Sequence, residues 1–188
     1  MAQVSAFISD DYYAVGRRGG SLNIYNFTPS PDVGSIITKA VSTPAHEGVQ
    51  MIVPLAPYMT AFISSNSNSS IAVWKTDSGN WADINDPVIL NYNSSYGVAN
   101  RGAITYVDDT LYLVIGHENG FVSIWQYAQQ ADNWSFVRGV DVRSSKPVNP
   151  WGLCNVKGVV EAEPGIIITG SEDGNLTVMK IHMVQHYV

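Results

Sequence analysis

Charge is scarce in this chain, and the scarcity excludes several functions. Only 14% of the 188 residues are Asp, Glu, Lys or Arg, where a soluble chain ordinarily carries about a quarter. Acids outnumber bases, 16 to 10, for a formal charge of −6. Phosphate backbones are held by clustered cations, and the one cluster present is Arg17-Arg18. No nucleic-acid role is expected. Cysteine is nearly absent too. Cys154 stands alone, which excludes an intramolecular disulfide and any CxxC-type metal site, and its expected place is a buried apolar one beside Leu153. No stretch approaches 18 uninterrupted apolar residues, so no membrane-spanning helix is expected. Residues 1–10 lack the basic start and long apolar core of a signal peptide, and the expectation is a soluble cytoplasmic protein. The five Asn-x-Ser/Thr sequons, at Asn26, Asn68, Asn93, Asn133 and Asn175, carry little weight without such a signal.

Catalytic signatures are missing as well. There is no Gly-x-Ser-x-Gly, no phosphate-cradling loop and no Gly-x-Gly-x-x-Gly. His182 and His186 are spaced i, i+4, but without a Cys or carboxylate nearby they read as tail histidines rather than metal ligands. Asp10-Asp11 and Asp108-Asp109 fall in equivalent turns, which suits hairpin geometry better than acid–base work, and neither offers the 1-3-5 oxygen spacing of a calcium loop. Neither a cofactor nor a metal is expected, and the chain is read as a non-enzyme.

What is present is a repeat. A small residue (Gly16, Ser65, Gly116, Gly170) stands nine positions before a large one (Tyr25, Trp74, Trp125, Met179), and the large ones recur at intervals of 49, 51 and 54. Between them lies a polar turn followed by a strand alternating in period two: Leu22/Ile24, Ile71/Val73, Val122/Ile124, Leu176/Val178. Each unit therefore predicts a β-hairpin. Turns such as Glu118-Asn119-Gly120 and Glu172-Asp173-Gly174 tolerate the positive φ of a tight reversal. A lone hairpin is marginal, so each must stack its faces on neighbours. That requirement, at a near-50-residue period, predicts an all-β propeller.

Gly-Ser-Glu-Asp-Gly-Asn-Leu-Thr-Val-Met-Lys-Ile (170–181) and Gly-His-Glu-Asn-Gly-Phe-Val-Ser-Ile-Trp-Gln (116–126) resemble the second half of a WD repeat. The resemblance extends over all four units, as a divergent member. The Asp after the terminal Trp is replaced by Asn26, Lys75, Gln126 and Lys180, and no Gly-His pair opens a unit. The family's buried His–Ser/Thr–Trp network therefore cannot form in its usual way. The resemblance implies one propeller-type domain over 1–188 with four four-stranded antiparallel blades, approximately 1–48, 49–98, 99–149 and 150–188.

Innermost strands are expected near 4–8, 49–55, 102–107 and 153–160, and outer fourth strands near 35–41, 87–92 and 136–142. The stretch 126–132 is a candidate helical turn. Trp74 and Trp125 are expected in the core, and Trp81 and Trp134 over outer blade edges. The count ends one strand short, with 182–188 left over. Open blade edges are aggregation templates, so the leading expectation is a homodimer completing an eight-bladed ring. A self-closed four-bladed ring and a piece of a longer protein are the alternatives.

The resemblance implies a non-catalytic protein–protein scaffold whose turns and blade-leading loops bind a partner. The residues expected there are Arg17, Arg18, His46, Tyr96, Arg101, His117, Glu118, Trp151, Glu172 and Asp173. The mixture of both charges with Tyr and Trp suits an interface. A carbohydrate-binding, lectin-like propeller is the other reading. The turns differ from blade to blade, which favours the scaffold.

Overall fold

The structure is a computed structural model that describes residues 2–17, 21–26, 39–42, 49–56, 58–64, 70–84, 86–144 and 154–182. Two compact units divide the chain, Met1–Ser94 and Ser95–Val188. Each contains two separate antiparallel sheets whose strands follow one another in chain order.

In the first unit, one sheet holds β1 (Ala2–Phe7), β2 (Tyr12–Arg17), β3 (Ser21–Asn26) and β4 (Lys39–Ser42). The second holds β5 (Val49–Ala56), β6 (Met59–Ser64), β7 (Ser70–Lys75) and β8 (Val88–Asn91). Alternation sorts the side chains as it must when successive residues face opposite ways. Leu22 and Ile24 join Val49, Ile52, Ala72 and Trp74 in one buried cluster between the two sheets. Trp81 lies in the same cluster, brought inward by a 3-10 turn at Trp81–Asp83. The expectation that it covers an outer edge is therefore corrected.

The second unit opens with β9 (Ala99–Val107), β10 (Thr110–His117), β11 (Phe121–Ala128) and β12 (Asn133–Asp141). Its other sheet has three strands among the described residues: β13 (Val156–Glu163), β14 (Ile166–Ser171) and β15 (Leu176–Lys180). The expectation of four strands in every sheet thus holds for three of them, and residues 183–188 lie outside the described set. Tyr112, Val114, Val122 and Ile124 pack against Val156, Ile167, Met179 and Ile181 between these sheets. Within each unit the first strands lie beside each other, β1 by β5 and β9 by β13.

One local expectation is corrected. Residues 126–132 form no helical turn: β11 runs on to Ala128, and a turn through Asp132 (φ 50°) leads into β12. In the second sheet Ile71 pairs with Ile63, whereas the equivalent Leu22, Val122 and Leu176 pair with Gly16, Gly116 and Gly170. Trp74 and Trp125 are buried as expected, and Cys154 is buried, with burial first and the nearby Asp173 charge second raising its thiol. Trp134 is half-buried against Tyr127, their rings 5.2 Å apart.

The Asp108-Asp109 turn shows why acidic residues sit there. Val107 pairs with Thr110, which leaves a two-residue loop whose members have φ of 46° and 62°. That is the reversal whose twist matches a hairpin, and it suits Asp, Asn and Gly. Glycine adopts it without the Cβ penalty, so Asp109→Gly is expected to raise stability by about 0.5–1 kcal/mol. A higher urea midpoint would register it.

Candidate interaction surface

The turns that join the second and third strands of each sheet in the second unit are fixed to the chain that leads into a first strand. Gly120 (φ 75°) and Gly174 (φ 81°) supply the left-handed residue in the two turns. In one, the Glu118 amide donates to the Val98 carbonyl and the Asn119 amide to that of Tyr96, each at 2.9 Å. In the other, the Glu172 amide donates to the Asn155 carbonyl, also at 2.9 Å. Equivalent turns are thus pinned by equivalent backbone bonds. Loops so held lose little further freedom on binding.

Beneath the first turn lies a polar chain that the repeat pattern alone does not reveal. His117 is 0% exposed and its Nε2 lies 2.8 Å from Ser123 Oγ. Trp125 Nε1 donates to the same oxygen at 3.1 Å. Ser123 therefore directs its own proton to Nε2 if the imidazole is neutral. Burial pulls the imidazole down to about 4, against an opposing hydrogen bond that the ring donates to the Gly97 backbone. A His–Ser–Trp chain thus exists after all, wired within one hairpin by residues 117, 123 and 125. A serine beside a histidine suggests a hydrolase pair, yet both side chains are buried and the Ser123 oxygen is already shared. The pair is structural.

His117 had been expected on the surface, and its burial corrects that. β10 runs on through His117, whose side chain continues the alternation of Leu113 and Ile115 onto the face that carries Ser123 and Trp125. Asp173 is corrected likewise. It is buried, accepts from the Ser144 amide at 2.7 Å and the Asn175 amide at 3.2 Å, and bonds the Ser171 hydroxyl. Burial alone would raise its carboxyl, but these bonds outweigh it and hold it below the usual range.

What faces outward is a set of aromatic and charged groups. Tyr96 stacks on Phe121 with centroids 4.7 Å apart and meets the His117 ring edge-on at 5.5 Å. The Arg143 guanidinium stands 4.9 Å from the Phe121 centroid, a cation–π contact. Arg143 is clamped there by Asp141, Nε to Oδ1 at 2.8 Å and Nη2 to Oδ2 at 2.5 Å. That donation holds the Asp141 carboxyl below its ordinary value, against a smaller effect of burial. On the neighbouring sheet Lys157 Nζ reaches Glu172 at 3.0 Å, and its hydrogen bond is the main reason the Glu172 carboxyl is lowered. Arg101 donates through Nε to the Lys157 carbonyl at 3.2 Å.

Of the residues singled out from sequence, Tyr96, Arg101, Glu118 and Glu172 come together at this end of the second unit. Arg17 is exposed at the end of β2 in the first unit. Arg18, His46 and Trp151 lie outside the described residues. Phe121, Asp141 and Arg143 were missed. Phe121 follows a turn glycine and Asp141 precedes Arg143 by two, but nothing in the pattern places β12's end against the second hairpin turn. Among the described residues, no three His, Cys, Asp or Glu side chains are grouped to hold a metal ion, and no helix is long and apolar enough to cross a membrane.

No protein-family profile and no curated protein matches the chain. Solved structures do. The crystal structure of BBS1N in complex with ARL6DN is similar over 98% of this chain and 52% of that one, with a TM-score of 0.63 and 15% identity. Sqt1 from Chaetomium thermophilum is similar over 95% and 45%, with a TM-score of 0.70 and 17% identity. This chain therefore spans about half the length of each. Both are WD40-like propellers, and at these identities the likeness is one of fold.

Proposed function

We propose that this chain is a non-catalytic protein-interaction scaffold, a propeller-type domain of divergent WD-repeat kind over residues 1–188. Its partner surface is the end of the second unit built around Tyr96, Phe121 and Arg143, with Arg101, Glu118, Lys157 and Glu172 beside them. The observation that carries this reading is the clamped stack. Arg143 is held by Asp141 over Phe121, and Tyr96 lies against the same ring. Aromatic and arginine side chains on a rigid base are the usual anchors of protein interfaces, and charges already paired cost less to bury than bare ones. The BBS1N structure, whose fold is similar, is a complex with a protein, ARL6DN.

The test is capture of a stoichiometric protein partner by the full chain, repeated with two variants. Arg143→Glu removes the clamp and inverts a charge, so recovery of the partner should fall roughly tenfold or more, as at an interface anchor. Arg138→Glu, on the exposed outer strand β12, should leave recovery unchanged. Equal recovery by both variants would move the interface away from this surface.

A further inference from the structure

The face of the third sheet that carries Phe121 is laid out in cross-strand pairs between its outer two strands. Tyr127 stands opposite Trp134 and Trp125 opposite Phe136, with ring centroids 5.2 Å apart in both pairs. Past the irregularity between Ile124 and Trp125 the series goes on with Ser123 opposite Gly139 and Phe121 opposite Asp141. Opposite residues share a face, and diagonal neighbours are within reach of an aromatic ring. Every row of this face has a side chain on β12 except the row at Gly139.

The place left there is taken by Tyr96, from the chain that leads into β9. Its carbonyl accepts from the Asn119 amide at 2.9 Å, and the Ser95 carbonyl accepts from Asn119 Nδ2 at the same distance. With the backbone pinned to the hairpin turn, the ring lies across Phe121 at 4.7 Å, within 14° of parallel. Its far end rests on Gly139. A Cβ on that glycine would overlap Tyr96 Oη and stand 2.6 Å from Cζ and 3.0 Å from Cε2.

Gly139 is exposed and its φ is not positive, so neither packing of the sheet nor its backbone conformation calls for glycine. A glycine inside a strand weakens it, and its usual reason is the close approach of another group. Here that group is the Tyr96 ring. Gly16 and Gly116 differ, because the atoms that cover them are the short stems of Val49 and Val156. At Gly139 the covering atoms are the end of a long side chain, so an added methyl would turn the ring aside and leave the strands where they are.

We propose that Gly139 is a positioning residue for the partner surface, the slot that holds Tyr96 flat on Phe121. The proposal rests on the reading of this end of the second unit as the binding face. Closing the slot takes the ring out of the stack, and an anchor that must be ordered at the moment of binding is weaker than one already in place. Gly139 acts through Tyr96 and not by touching the partner.

Gly139→Ala tests it. The far-ultraviolet spectrum should be unchanged, while the Phe121 ring protons, shielded by the Tyr96 ring in the wild type, should move downfield to the positions found in Tyr96→Ala. Partner recovery should fall roughly tenfold, as for loss of an interface anchor. The double variant should bind no worse than Tyr96→Ala alone, because the two changes remove one thing. Gly158→Ala makes the same chemical change where a Cβ meets no described atom within 4 Å, and should leave both readouts at wild-type values. Should Gly139→Ala lose its folded spectrum, adding Tyr96→Ala should restore it, since the overlap is with that ring. Unmoved Phe121 signals, additive losses in the double variant, or a fold that Tyr96→Ala does not restore would overturn the proposal. So would full recovery of the partner by Gly139→Ala beside its loss from Arg143→Glu, a result that leaves the binding face itself standing. Full recovery by Arg143→Glu would instead sink the binding face, and the Phe121 signals would still decide whether Gly139 seats the ring.

Discussion

Acidifying the solution from pH 6.5 to about 4 is expected to remove about 3 kcal/mol of stability through His117 alone. Burial depresses the folded imidazole from its ordinary 6.5 to about 4, with the Gly97 backbone bond opposing. Between those values the unfolded chain binds a proton that the folded one refuses. Acid therefore favours unfolding throughout the window, and the contribution is complete above pH 6.5. A local cause is visible in the hydrogen bonds. Ser123 Oγ already accepts from Trp125, and a protonated Nε2 would turn its acceptor for the Ser123 proton into a second donor. Urea unfolding at pH 7.5 and 5.5 separates this effect from the carboxylates. Asp141, Glu172 and Asp173 are held low, so their contributions fade only as the usual carboxylate range is crossed. His117→Gln should be less stable than wild type at pH 7.5 and should lose most of the slope between these pH values. An unchanged slope in that variant would show that another group carries it.

Gly116→Ala is expected to cost about 2–3 kcal/mol, although it adds one methyl group, because overpacking a closed interior strains both walls. The new Cβ would lie 2.4 Å from Val156 Cγ1, 2.8 Å from Val156 Cβ and 3.0 Å from Val159 Cγ2. None of these atoms is the free end of a long side chain, so relief requires the two sheets to part. The loss of backbone entropy on folding is smaller for alanine, which offsets about 0.5–1 kcal/mol. Val156→Ala removes the nearest atom and should partly rescue Gly116→Ala in a double-mutant cycle. Additive losses in the two variants would mean that the valine does not sit on the glycine.

Much of the architecture was legible because period-two alternation leaves little choice once one face must be hidden. β5, β8 and β12 lie close to the stretches expected, and Trp74 and Trp125 are interior at repeat-equivalent positions. The register of β6 against β7 was not legible, for a physical reason. A shift of one residue turns every side chain over, but a shift of two restores each face. Alternation alone therefore does not select the pairing of Ile71 with Ile63. His117 was assigned to the turn, whereas β10 extends through it and alternation carries its side chain to the face of Leu113 and Ile115. Asp173 was misplaced because its partner, the Ser144 amide, arrives from 29 positions away.

From the residues alone came the hairpins, the turn glycines, the inward tryptophans and the need for neighbouring sheets, since all of these follow from local periodicity and the cost of exposed apolar surface. Which faces acquire neighbours was decided only in three dimensions. Leu22 and Ile24 read just as Leu176 and Val178 do along the chain, yet the first pair is covered and the second stands in solvent. Burial depends on what a sheet's surroundings provide, and alternation within a strand carries no record of that.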